Sequence, residues 1–70
     1  MRDGQPITRG TRYRDLEMSV ASQAEWVVED VYMAGGIEHA RLVQAANPPE
    51  RRTLSTSVLR DRRRFKRVEG

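Results

Sequence analysis

The 70-residue chain carries 13 Lys or Arg against 10 Asp or Glu, with one His and no Cys, which excludes disulfides, thiolate metal sites and multi-histidine sites. Its net charge of +3 is uneven: four Arg against three acids over residues 1–17, one Arg against four acids over 18–49, and eight basic residues against three acids over 50–70. An acidic middle and a basic end can face different partners or each other. One domain of this length buries only about 60% of its unfolded surface, so a homodimer or a larger assembly is the expected supplement to its core.

Residues 1–10 (MRDGQPITRG) combine Gly4, Gly10 and Pro6 with little apolar content and read as a flexible arm; residues 11–70 form the single small domain. Leu16, Met18 and Val20 alternate with Asp15, Glu17 and Ser19. That period of two predicts a short half-buried strand, with an early start to the next helix as the alternative. Ser22 and Glu25 then have capping-box spacing, and Gly35-Gly36 supplies a stop. Between them Ala24, Val27, Val28, Val31 and Ala34 recur at helical spacing, which predicts a helix over about 22–34. A second helix is predicted over about 37–46, apolar at Ala40, Leu42, Val43 and Ala46, with His39 at its edge and an end at Asn47-Pro48-Pro49. The hydroxyl-rich, β-branched stretch 51–57 leaves helix and strand open. A third helix is predicted over 58–68, because Leu54, Val58, Phe65 and Val68 fall at coiled-coil-like intervals with Asp61 on the same line. The expected fold is mainly α: a small two- to three-helix domain with a short N-terminal strand and a basic C-terminal helix.

No nucleophile elbow, Gly-rich phosphate loop or HExxH motif is present, so the chain reads as non-enzymatic, with no cofactor, metal or small-molecule substrate. Glu25 and Glu29 lie one predicted helical turn apart, but acids in this pattern ordinarily keep a surface helix soluble. His39, beside Glu38, reads as a half-buried polar residue rather than a general base. Apolar runs such as Trp26-Val27-Val28 are too short to cross a membrane, and Met1-Arg2-Asp3-Gly4 lacks the apolar stretch of a signal peptide. The expected location is the cytoplasm, or a particle assembled inside the cell.

Two surfaces stand out on this helical reading. Trp26 and Met33 fall opposite the valine face of the first predicted helix, among Glu29 and Asp30, and form a candidate protein-interaction patch. The Leu54, Val58 and Phe65 stripe is a second docking side. In LRDRRRFKRV (59–68), Arg60, Arg63, Arg64, Lys66 and Arg67 fan over the charged side of the third predicted helix, with Arg62 at its border. They are the candidate phosphate contacts. No aromatic is interleaved there to stack bases, and no Asn or Gln to read adenine, so such contact is backbone-directed. Ribbon-helix-helix and helix-turn-helix layouts both fail on charge, through Asp15 and Glu17 in one case and Glu38 against Arg41 in the other. The sequence therefore points first to a small interaction or assembly protein: an adaptor, an inhibitor, or a particle subunit such as a phage accessory protein. Its second reading is a nucleic-acid-associated regulatory or accessory protein that holds a DNA or RNA backbone through the Arg-rich helix.

Overall fold

A computed structural model describes residues 6–17 and 24–68. The elements are β1 (Arg12–Asp15), β2 (Glu25–Ala34), β3 (Ile37–Gln44), β4 (Asn47–Ser55), a single helical turn α1 (Thr56–Leu59) and β5 (Phe65–Val68). They build one antiparallel sheet in the order β4-β3-β2-β1-β5. The chain meanders from β1 to β4, then crosses α1 and lays its last strand beside its first. The mainly helical expectation is thereby overturned, and with it the expected helical domain.

β2 stands where the first helix was predicted, and it shows why. Trp26 and Val28 are buried, the pairing with β3 shifts between Val28 and Asp30, and Val31 then packs on the core. Glu29 is the extra residue of a β-bulge. The insertion sets the inward Val28 and Val31 three positions apart, a helical interval, while Val27 and Ala34, which completed the apparent helical face, lie on the outer side. The side chains themselves favour a strand: Val27, Val28 and Val31 are β-branched, and Trp26 and Tyr32 are aromatic. Gly35 and Gly36 do not stop a helix. With φ of +60° and +78° they form the two-residue turn between Ala34 and Ile37, and positive φ at both positions is the signature of a type I′ hairpin.

The second predicted helix is β3, whose Ala40 and Leu42 are fully buried while Arg41 between them is exposed. Pro48 and Pro49 do not end a helix either. They lie where the β3–β4 ladder jumps from Gln44↔Asn47 to Val43↔Arg51, bulged out on an edge strand, where a missing N–H costs no ladder bond. The stretch 51–57 is strand as far as Ser55, whose hydroxyl accepts a 3.4 Å hydrogen bond from the Val58 amide and caps α1.

The predicted C-terminal helix stops at Leu59. The Asp61 carbonyl accepts from the amides of Arg64 and Phe65, and its carboxylate accepts from the Arg63 amide at 3.0 Å. These local bonds fold the arginine run into a turn, and Phe65 begins β5 as a buried residue. The N-terminal strand lies earlier than predicted, with Leu16 and Glu17 already in a turn; Met18, Ser19, Val20 and Ser22 lie outside the described residues. So do residues 1–5 of the predicted arm. Ile7 is buried, and the Gly10 amide donates to the Val28 carbonyl at 2.8 Å.

One core fills the concave side of the sheet: Ile7, Tyr13, Trp26, Val28, Ala40, Leu42, Leu59 and Phe65, with Val31, Leu54 and Val58 packed against it. Leu59 brings α1 into this core, and Thr56 ties the turn to β3 by donating to Glu38 Oε1 at 3.0 Å. The sheet curls enough for β4 to reach the opposite edge. Arg52, facing Leu42 on the core side, donates to Asp15 of β1 at 2.9 Å and lies 5.7 Å from the Phe65 ring of β5. Among the described residues no helix is long and apolar enough to cross a membrane.

Candidate interaction surfaces

Side-chain direction on this sheet follows strand alternation, which regroups every residue singled out from the sequence. Trp26 is 8% exposed, and Arg52 covers its ring at 5.2 Å. It is a core residue, not a surface anchor. Glu29 sits at the bulge, 3.7 Å from Arg51. Asp30 is exposed on the outer face opposite Arg41. Met33 stands apart from all three at the far end of β2, 64% exposed. The structure does bring Leu54, Val58 and Phe65 together, but around the core, with Phe65 buried.

The basic set is divided just as sharply. Lys66 is exposed and, by alternation, outward on β5. Arg67 points to the other side, against Tyr13, and donates to the Pro6 carbonyl at 3.2 Å. Burial pushes the Tyr13 phenol above its ordinary value, against the opposing pull of Arg67 and Arg60. Arg60 is the C-cap of α1 and is half-buried. Arg63 reaches the Asp61 carboxylate at 3.4 Å and Arg64 reaches Glu17 at 3.1 Å. The Arg63 amide and guanidinium hold the Asp61 carboxyl below the usual carboxylate range. The arginine run is thus a turn with side chains leaving in several directions, rather than one cationic helix face.

Two surfaces result. The first is the β2–β3 hairpin. At about 3.3 Å per residue, the ten residues of β2 extend about 30 Å. Residues 33–38 at its end are all exposed. Alternation puts Met33, beside Glu38, on one side of this tip and Ala34 and Ile37 on the other, so each face carries one large exposed apolar side chain; Ile37 is 56% exposed. Its base is braced. On the outer face Tyr32 and His39 are cross-strand neighbours with rings stacked 5.6 Å apart, and the Arg41 guanidinium lies 5.5 Å from the Tyr32 ring. With its proton on Nδ1, His39 donates to the Ile37 carbonyl at 2.9 Å. On the inner side the Glu38–Thr56 bond fixes the hairpin to α1.

The second surface is the outer face of β1 and β5 with the adjoining turn. Arg12, Arg14 and Lys66 lie on it, and Arg62, Arg63 and Arg64 lead into it. Ile37, Tyr32 and Arg41 had no signal on the helical reading. Read as a Gly-Gly turn between two alternating segments, 32–41 would have shown them. No family model, curated protein or solved structure matches the chain.

Proposed function

We propose that the chain is a small non-enzymatic assembly protein whose β2–β3 hairpin tip inserts into a cleft of a neighbouring copy. The observation that carries this reading is the pair Met33 and Ile37, the large hydrophobic side chains exposed among the described residues, placed on opposite faces of one braced tip. A tip with a large apolar side chain on each side suits insertion between two surfaces better than contact with a flat one. Its bracing lowers the ordering cost of association, and a core of eight buried residues gains from further burial.

Full burial of one such side chain contributes about 1.5–3 kcal/mol. Met33→Ser/Ile37→Ser therefore weakens self-association by about 100-fold or more, while the fold, which does not depend on these exposed side chains, keeps its stability. Sedimentation equilibrium reads this directly. The expected wild-type mass is a multiple of the 8.1 kDa chain, and the variant approaches 8.1 kDa. A wild type that stays monomeric at high concentration, or a variant as associated as the wild type, overturns the proposal.

A further inference from the structure

We infer that the outer face of β1 and β5, together with the turn at Arg62–Arg64, binds the phosphate backbone of a nucleic-acid duplex. The first support is where the charge lies. Arg12, Arg14, Arg63, Arg64 and Lys66 gather five cations, and their ion pairs among the described residues run to the three acids Glu17, Glu25 and Asp61. Five cations against three acids give this face a local positive field.

The second support is a broken local rule. Lys66 is the direct cross-strand neighbour of Arg14, and like charges in that position weaken a sheet. Glu25 offsets this only in part, because one carboxylate serves both Arg12 at 3.1 Å and Arg14 at 3.6 Å. An anion lying across the two strands turns the repulsion into attraction. The Arg63–Asp61 pair presents no obstacle: its guanidinium is 91% exposed, and exposed ion pairs are weak enough to exchange for a phosphate.

The residue types select the occupant. Four of the five cations are arginines, whose planar fork matches phosphate oxygens. The outward positions of β1 and β5 are Arg12, Arg14, Lys66 and Val68. No aromatic is there to stack an unpaired base and no amide to read a base edge. A duplex backbone, DNA or RNA, supplies what this face recognises, whereas a splayed single strand or a base sequence does not. The hairpin tip lies on other strands, β2 and β3, and takes no part in this face.

Fluorescence anisotropy with labelled DNA and RNA duplexes of about 20 base pairs, between about 50 and 200 mM salt, tests the inference. The logarithm of affinity should fall linearly with the logarithm of salt, with a slope of about −3 to −4, and similarly for both duplexes. Arg63→Gln/Lys66→Gln should reduce the slope by about 2 and weaken binding at least about tenfold. A control of equal charge, Arg9→Gln/Arg51→Gln, should leave the slope in place. Lys66→Gln alone changes one exposed strand residue and should reduce the slope by about 1, which keeps the test decisive if the double variant does not fold. A flat salt response, an equal loss in the control, a strong preference for one duplex, or polyglutamate binding as tightly as the duplexes each overturns it, the last by making an acidic protein surface the partner.

Discussion

Arg52 is a cation on the core side of a strand, and its neighbours explain how the fold tolerates it. Its guanidinium lies over Trp26 and beside Phe65, at 5.2 and 5.7 Å from the ring centres, which favours a partly desolvated cation. Its charge meets Asp15 at 2.9 Å. The other oxygen of Asp15 accepts from the Glu17 amide at 3.0 Å, so a carboxylate with only 9% of its side chain exposed has both oxygens bonded. Removing either partner leaves the other charge without its counterpart. Asp15→Ala or Arg52→Met alone should each cost about 1.5–3 kcal/mol, and the double variant less than their sum, with a coupling of about 1–2 kcal/mol. Urea unfolding of the four proteins measures this. A coupling near zero would mean that the two residues act independently and that Arg52 stays for its packing alone.

At the scale of elements, the Gly35-Gly36 turn sets the β2–β3 register and so decides which side chains reach the tip. Both residues have positive φ, and an added Cβ would meet nothing within 4 Å at either position. Backbone conformation, not space, is therefore what a substitution tests. Asn tolerates the φ of +60° at Gly35 and has fewer unfolded conformations to lose, so Gly35→Asn should stabilise by about 0.4–1 kcal/mol. A β-branched residue does not tolerate φ of +78° at Gly36, so Gly36→Val should destabilise by about 1–2 kcal/mol. Melting temperatures should move in opposite directions, by about 4–8 °C per kcal/mol for a domain of this size. Shifts of the same sign would contradict the turn. The bulge at Glu29 works at the same scale: without it, Val31 would turn outward and the hairpin would present its opposite face to the core.

For the whole molecule, the acidic middle and basic ends of the sequence meet on one sheet. Glu25 pairs with Arg12 and Arg14, and Glu29 lies by Arg51. These exposed pairs add little stability individually. The apolar tip belongs to β2 and β3, the basic face to β1 and β5. Their variants should therefore be separable. Met33→Ser/Ile37→Ser should retain the salt slope of duplex binding per chain, and Arg63→Gln/Lys66→Gln should retain the oligomeric mass. If dissociating the oligomer also abolishes the salt dependence, the basic face functions only as a surface shared between copies.

The sequence by itself determined the limits: one small domain, no disulfide, a thin core and an excess of arginine. It also marked several residues that matter here, among them Met33, Arg63 and Lys66, because exposed apolar and cationic side chains are recognisable from residue type. It did not determine their grouping. Helical periodicity is a local signal, and the bulge at Glu29 imitated it, while Gly35-Gly36 and Asn47-Pro48-Pro49 punctuate a meander as readily as a helical chain. The directions of Trp26, Arg52 and the C-terminal arginines depend on strand register between segments far apart in the chain, such as Asp15 with Phe65. A shift of one residue would exchange the inside and outside of a whole strand. Only the tertiary structure, by burying Trp26 and Phe65 around a single core, decided that Lys66 faces outward while Arg67 turns toward Tyr13. The stretch LRDRRRFKRV became a turn and a strand edge because Phe65 is buried there, a gain that a lone amphipathic helix has no partner to provide.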